Sequence, residues 1–389
     1  MFSFDYLYFP EIHDFKVLGN TDTEKAVDKL EEFSCKTKII SGPGSVSALK
    51  NWAPKRLFLV TDPFFAKNGT AQAIASGSGA EAIEIFDKVM PDPTVELAAE
   101  GTARLKAFSP DLVVALGGGS AMDCAKAMAY FGKGNYQLVA IPTTSGSGSE
   151  VTDFAILTHN KVKHPLVDER LRPNGAILDS DLLKELPPSL IADSGFDVLA
   201  HALEAAVATG AGEMTDLLAR ESFSLAFANL PASFAGHREV RLKVHRASTL
   251  AGLAFTQAGL GLCHAMSHAL GGMYHIPHGR LNAILLPSVI SCNAHAGIQK
   301  YAQLARAAGF YGSADTVALR NLKNGLIRLR RELNLPDTLL KAGIPPRRVW
   351  GDTGAIVEAT LADPCCDTNP IKVEDFLVRR ILEEVTGRV

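Results

Sequence analysis

The apolar residues change their period once along the chain, at Pro187-Pro188, and that change constrains the fold more than any other feature. Up to about Lys184, short β-rich runs alternate with helical patterns: Leu57 to Thr61, Ala82 to Phe86, Leu112 to Leu116 and Leu138 to Ile141 are separated by segments such as Val95 to Phe108. Apolar runs interleaved with helices predict βαβ units and a mainly parallel sheet. Beyond the proline pair come Ala/Leu-rich helical stretches, Ser189 to Thr209, Met214 to Ala228, Arg238 to Gly259 and Gln299 to Ala308, with almost no strand signal. The prediction is an α/β chain: a parallel-sheet domain over residues 36–185 followed by an all-helical domain over 186–389.

Residues 1–35 form an arm outside that alternation. Phe2, Phe4, Tyr6, Tyr8 and Phe9 crowd together, and Thr21 to Phe33 reads as a short amphipathic helix with Ala26, Val27, Leu30 and Phe33 on one face. The plainer expectation is an arm packed on its own domain or on a dimer partner; a docking or targeting helix is the other reading.

Charge and cysteine usage exclude several partners. With 39 Lys+Arg against 42 Asp+Glu the net charge is −3, and adjacent basic residues stop at pairs such as Arg330-Arg331 and Arg347-Arg348. Those are too few to grip a phosphodiester backbone, so no nucleic acid is expected. No apolar stretch is read as approaching the roughly eighteen residues of a membrane span, so no membrane partner is expected. The six cysteines show no C-x-x-C spacing and only Cys365-Cys366 are adjacent, which fits a reducing cytoplasm. The first residues lack a basic n-region ahead of an apolar h-region, so no secretory signal is read.

Two turns carry the first chemical signal. Leu112 to Leu116 runs into Gly117-Gly118-Gly119-Ser120 and then a helix, Ala121 to Phe131, with Ser120 as a candidate cap and Asp123 three residues on. Glycines at a strand end let backbone N–H groups at a helix start approach a phosphate. The turn is neither Walker A nor G-x-G-x-x-G, and close packing alone would also explain it. Leu138 to Ile141 is followed by Pro142-Thr143-Thr144-Ser145-Gly146-Ser147-Gly148-Ser149-Glu150, a hydroxyl-rich loop on the carboxyl edge of the same sheet. Leu57 to Thr61 ends in Asp62, which could accept hydrogen bonds from a ribose diol and repel a 2′-phosphate, favouring NAD over NADP; ordinary turn chemistry is an equal reading.

Four of the eleven histidines, His264, His268, His275 and His278, fall within fifteen residues. His264 and His268 lie one helical turn apart, and Asp197 and His201 repeat the i, i+4 arrangement in the apolar helix Phe196 to Ala206. Two such pairs can converge on one ion, and a carboxylate with imidazoles suits Zn²⁺ or Fe²⁺. Spacing leaves open which of the four later histidines bind.

These residues together resemble the iron-containing (group III) alcohol dehydrogenases. The likeness runs from about Ile39 to Pro370 through Gly42-Pro-Gly-Ser45, Pro91-Asp-Pro-Thr94, Gly117-Gly-Gly-Ser-x-x-Asp-x-Ala-Lys126, Thr143-Thr144 to Glu150, Asp197 to Glu204 and Gly261 to Pro287. The resemblance implies a dinucleotide-binding α/β domain, a helical domain, and a metal and active site between them. It places the metal ligands on Asp197, His201, His264 and His278, and a non-ligand histidine beside the nicotinamide on His268. It places NAD contacts on Asp62, Gly118, Gly119, Ser120, Thr143, Thr144 and Ser147, with Lys163 near another; Ser147 stands where the family has threonine and keeps the hydroxyl. His275 takes no ligand role.

Within the family the stretch Gly259 to Pro287 is most similar to the propanol and ethanol dehydrogenases of bacterial microcompartments. The implied activity is metal-assisted hydride transfer between NAD(H) and a short-chain primary alcohol or aldehyde, with His268 as the proton carrier and Fe²⁺, or Zn²⁺, as the ion. A homodimer in the cytoplasm, with docking inside a microcompartment through the arm, is the matching expectation. The alternatives are a lactaldehyde or diol reductase of the same family, a dehydroquinate synthase-like lyase that returns the hydride, and a metallohydrolase. The last would leave the dinucleotide turns without a purpose.

Overall fold

The computed structural model describes residues 32–159 and 162–387. The expected arm helix, Thr21 to Phe33, lies outside these but for its last two residues. In the first half the chain runs β1 (Lys38–Ser41), β2 (Arg56–Thr61), α1 (Pro63–Lys67), α2 (Thr70–Gly77), β3 (Ala82–Phe86), α3 (Val95–Phe108), β4 (Leu112–Gly117), α4 (Gly119–Gly132) and β5 (Gln137–Pro142). A hairpin, β6 (Phe154–His159) and β7 (Val162–Val167), precedes the last strand, β8 (Gly175–Leu178). Six strands pair in the order β1-β8-β5-β4-β2-β3, every neighbour parallel.

Alternation along β2 and β4 sends side chains to opposite faces. Phe58, Val60, Val113 and Ala115 pack with Leu105 of α3 and Met122 and Met128 of α4. Leu57, Leu59, Leu112 and Val114 pack with Ala71 and Ile74 of α2 and with Leu49. Both faces are therefore dry, which is why these strands read as unbroken apolar runs.

The predicted strands and α3 appear within a residue of their expected ends. Four strands were not expected. β1 is four residues and half exposed, β8 opens on glycine, and the hairpin carries His159, Lys163, His164 and Pro165. Their apolar runs are short: Ile39-Ile40 in β1, Phe154 to Leu157 in β6 and Ala176 to Leu178 in β8.

After Leu178 no strand occurs among the described residues. The helices are α5 (Pro188–Val207), α6 (Glu213–Phe234), α7 (Arg241–Ala258), α8 (Leu262–Tyr274), α9 (His278–Ala307), α10 (Asp315–Glu332), α11 (Pro346–Leu361) and α12 (Asp375–Thr386). Helix α5 is buried on every side, with Phe196, Val198, Leu199 and Leu203 fully enclosed, so it forms the centre of the bundle. Burying each such large side chain contributes roughly 1.5–3 kcal/mol.

The sequence reading made two helices too short, and each contains a proline. α6 continues past Pro231, and α9 runs thirty residues through Pro287 where only Gln299 to Ala308 was expected. α9 also corrects the expectation that no apolar stretch reaches membrane-spanning length: by length and composition it does, but 61% of its most apolar window is buried inside the protein. The six cysteines are all free thiols.

Candidate metal centre and cofactor cleft

Strand β3 lies on one side of β2 and β4 on the other, so the winding reverses between β2 and β4. The crevice beyond the carboxyl ends of such strands is where open α/β sheets take nucleotides. Asp62 stands at the end of β2 and Gly117–Gly119 at the end of β4. Gly117 has φ of 148°, and a Cβ there would lie 2.6 Å from Ala121 and 3.6 Å from Oδ2 of Asp62. Asp62 Oδ1 accepts from the N–H groups of Phe64 (2.8 Å) and Phe65 (3.2 Å), capping α1. Turn chemistry thus occupies one carboxylate oxygen, while the other lies toward Gly117.

The start of α4 differs from its sequence reading. Gly118 is the N-cap, Ser120 sits inside the first turn, and no side chain caps the helix. Asp123 instead accepts from Ser149 Oγ (2.8 Å) and Ile156 N–H (3.2 Å), which ties α4 to the second loop. A helix start with no side-chain cap keeps its amides for an anion. Thr144 Oγ1 is 3.2 Å from where a Cβ on Gly118 would be, and Ser147 Cβ is 3.3 Å from that of Gly119. Thr143 is buried, its N–H donating to Gly117 O (2.9 Å). The structure thus brings Asp62, Gly118, Gly119, Ser120, Thr143, Thr144 and Ser147 to one edge. Lys163, on β7, pairs with Asp92 (2.8 Å); burial raises the Asp123 carboxyl above its usual range, against the pull of Lys126 and, more weakly, Lys163.

Buried polar groups fix the loop after β5. Lys126 donates to Thr152 O, Thr152 Oγ1 and Phe154 O at 2.9–3.0 Å. Burial pushes its pKa down to about 8 against the pull of Asp123, Glu150 and Asp153. Ser145 Oγ bonds His245 Nδ1 of α7 (2.9 Å), and Thr249 Oγ1 of α7 donates to Glu150 (2.6 Å). Gly146 packs on α5, where a Cβ would meet Ser194 Cβ at 2.9 Å. One short loop therefore touches both the start of α4 and two helices of the bundle.

On α5, Asp197 and His201 share a face, and α8 brings His264 against them. One ligand atom from each of these three buried residues lies within 4.8 Å of the others. His278, the first residue of α9, puts Nε2 3.5 Å from Asp197 Oδ1, and His264 Nε2 is 3.8 Å from the same oxygen. Ligand atoms of a tetrahedral ion bound at 2.0–2.1 Å stand about 3.4 Å apart. The approach of α9 to α5 depends on Gly279, whose Cβ would fall 1.8 Å from Asp193 O, and on the two-pronged Arg280–Asp193 pair (3.1 and 2.9 Å).

The electrostatics match an ion at this point. Burial alone would raise the Asp197 carboxyl, but His201, His278 and His264 hold it well below the usual carboxylate range. Burial pushes His201 down to about 3 and His278 well below its ordinary value. Burial opposes charge on His264 too, yet hydrogen bonds to Asp197 and Glu204 raise it to about 9. His201 Nδ1 is buried with no hydrogen-bond partner. An enclosed carboxylate, three imidazoles and an orphaned ring nitrogen fit a divalent cation, which would replace the proton now shared around His264.

Three supporting residues carried no assigned role in the sequence reading. Glu204 accepts from Nδ1 of His264 and from Cys263 N–H (2.7 Å), which leaves Nε2 toward the ligand cluster. Asn282 Nδ2 donates to Asp197 Oδ1 (2.8 Å). Such partners orient ligands and raise their basicity. Asp363 Oδ2 accepts from His268 Nδ1 (2.8 Å), and the His268 ring stacks on His278 at 5.0 Å. Glu204 falls at i+7 from Asp197 and Asn282 at i+4 from His278, so helical spacing pointed to both; Asp363 is ninety-five residues from His268 and had no such signal. His275 is the exposed, left-handed C-cap of α8.

Comparison with known proteins agrees with this geometry. Residues 36–180 match the family described as "Iron-containing alcohol dehydrogenase", and residues 191–386 match "Fe-containing alcohol dehydrogenase family, C-terminal". A 1-propanol dehydrogenase, PduQ, of Salmonella typhimurium is 39% identical over 369 residues, covering 92% of this chain and 100% of its own. An NADPH-dependent butanol dehydrogenase of Clostridium saccharobutylicum is 34% identical over 375 residues, covering 90% and 97%. Among solved structures, a 1,3-propanediol oxidoreductase superposes with a TM-score of 0.86 at 30% identity, covering 92% of this chain and 100% of that one. The chain belongs to the iron-containing alcohol dehydrogenase family.

Proposed function

We propose that the protein is a metal-dependent, NAD(H)-linked alcohol dehydrogenase and aldehyde reductase for short-chain primary alcohols, with propanol/propionaldehyde or ethanol/acetaldehyde as the substrate pair. The observation that carries this reading is the shared wall of the two sites: the loop 143–149 meets Gly118 and Gly119 through Thr144 and Ser147, and meets the ligand helix α5 through Gly146. The full-length match to a 1-propanol dehydrogenase supports the chain length of the substrate.

When bound, a divalent ion, Fe²⁺ or its rival Zn²⁺, supplies Lewis acidity toward an alcohol or carbonyl oxygen, and the nicotinamide supplies or accepts the hydride. Asp197, His201, His264 and His278 would hold the ion, with Glu204 and Asn282 fixing His264 and Asp197. The amides at the start of α4, with Thr143, Thr144 and Ser147, would hold the pyrophosphate, while Asp62 favours a ribose diol over a 2′-phosphate. Phe255 stacks on His201 at 4.4 Å and meets Phe154 at 5.7 Å, keeping water from that side. His268 would move the proton. Burial works against the charge on Asp363, but the hydrogen bond from His268 holds that carboxyl down to about 2, so an ionised Asp363 fixes the Nδ1 proton and leaves Nε2 to exchange. The His268 side chain is 23% exposed, enough to connect the site with solvent.

The test is NADH absorbance with anaerobically purified, Fe²⁺-loaded protein and aldehydes from acetaldehyde to butyraldehyde, with glycolaldehyde and lactaldehyde alongside. Metal-dependent NADH loss with one optimum among the short unsubstituted aldehydes supports the proposal. An optimum at lactaldehyde transfers it to a diol reductase, and no net NADH change with metal and nucleotide bound overturns it in favour of a lyase. A cytoplasmic homodimer is part of the same proposal, with residues 1–35, ahead of the family match at residue 36, docking it inside a microcompartment. Unchanged particle association after their deletion would remove the docking role.

A further inference from the structure

We infer that His268, Asp363 and Cys365 form a second cation site, for a thiophilic divalent ion such as Zn²⁺, on the Nδ1 edge of His268. One donor atom from each of the three lies within 4.8 Å of the other two. The donors are an imidazole, a carboxylate and a thiol, a mixed set typical of zinc and unlike the candidate metal centre, which offers no sulfur. Zinc at 2.0–2.3 Å from each donor spaces them about 3.3–3.8 Å apart. The His268–Asp363 pair, now 2.8 Å, would open by about half an ångström to reach that spacing.

The local fold presents two of these donors together. Asp363 caps the turn Pro364–Thr368, its Oδ1 accepting the Cys365 N–H (2.9 Å), which leaves Oδ2 for His268. Carboxylate and thiol therefore sit two residues apart on one fixed turn, and His268 faces them from α8. Entry is open: the His268 and Asp363 side chains are 23% and 15% exposed, against 1% for His264. The neighbouring thiols are engaged elsewhere. Cys366 Sγ donates to Thr360 O (3.0 Å), and Cys263 Sγ lies 3.5 Å from Asn282 Oδ1. Burial and the Asp363 carboxylate keep the Cys365 thiol protonated; a cation neutralises that carboxylate and displaces the proton.

A consequence follows for catalysis, and it rests on the proposed role of His268. An ion on Nδ1 removes the proton that Asp363 accepts and pins the ring, so Zn²⁺ would inhibit without displacing the ion held by Asp197.

Cobalt separates the two sites spectroscopically. Anaerobic titration of the metal-free full-length chain with Co²⁺ should give ligand-field bands first, then a near-ultraviolet sulfur-to-cobalt charge-transfer band at higher occupancy. Cys365→Ser should lose the charge-transfer band and keep the first ligand-field bands, with Cys365→Ala read the same way; Asp363→Asn should weaken the second phase about tenfold or more. A band that survives both cysteine variants, or no such band in excess Co²⁺, overturns the site. Zn²⁺ added to Fe²⁺-loaded enzyme should inhibit the native chain and spare Cys365→Ser. Equal inhibition of both overturns the inhibitory consequence. A charge-transfer band in a protein that turns over no alcohol would instead count against the dehydrogenase reading and for the site.

Discussion

Replacing Gly279 by alanine should empty the metal centre without touching a ligand. The added Cβ would stand 1.8 Å from Asp193 O and 3.2 Å from Asp197 Cβ, whereas real Cβ contacts stay beyond 3.0 Å. The start of α9 must therefore move away from α5 by about 1.2 Å, the difference between those two distances. Arg280 holds the next residue to Asp193 through two hydrogen bonds, so the movement is taken up at His278. Metal–nitrogen bonds tolerate about 0.2 Å, and His278 would leave the set around Asp197. Metal affinity should fall about 10- to 100-fold or more, as disturbances next to ligands do, and turnover should fall with it. Overpacking of this kind costs about 1–3 kcal/mol, which a domain of this size survives. Equilibrium dialysis with metal analysis, run beside thermal melts and a His278→Ala control, gives the answer. A folded Gly279→Ala protein with native metal affinity, while His278→Ala loses it, would refute the reasoning.

Other substitutions separate the remaining roles. Asp197→Asn should lose metal and activity together, whereas His268→Asn should keep metal content and lower kcat by about 10²–10⁴-fold; full occupancy in Asp197→Asn would contradict its assignment. Asp62→Ala should raise the ratio of kcat/KM for NADPH over NADH about tenfold or more, while the lost α1 cap costs about 1 kcal/mol; an unchanged ratio leaves Asp62 as a cap alone. Burial pushes His245 down to about 4 from 6.5, so as pH falls the unfolded chain takes up this proton first. The stability His245 confers by staying neutral is complete above pH 6.5 and is lost toward pH 4, by at most about 3 kcal/mol. Melts of His245→Gln across that range should show a flatter acid limb, and an equally steep one would dismiss the assignment.

Much of the frame was legible because each half of the chain buries apolar residues with a strict period. The strands β2 to β5 read clearly because both faces of the sheet are covered, and α5 because it is apolar all round. Where the period is masked the reading failed: β6–β7, whose apolar run stops at Leu157 ahead of His159, Lys163, His164 and Pro165, was not read as strand, and the part of α9 before Gln299, which contains Pro287, was not read as helix. At the site, helical spacing pairs Asp197 with His201 and His264 with His268, because ligands one turn apart need no tertiary information. Which of the later histidines meets α5 was not readable from spacing. That depends on how closely α9 crosses α5, set by Gly279, and on a C-cap that turns His275 outward. The Ser120 cap failed because Gly118 already starts the helix. Asp363 could not be found, since its meeting with His268 exists only after α8 and the Pro364–Thr368 turn have packed.

The central position of α5 gives the metal a mechanical role. Asp197, His201 and Glu204 all project from the helix that α6, α7, α8 and α9 lean on, so the ion would act as an internal rivet joining α5 to α8 and α9. Its binding energy would then appear as resistance to unfolding that rises with free metal concentration. The centre and the fold share one set of tolerances.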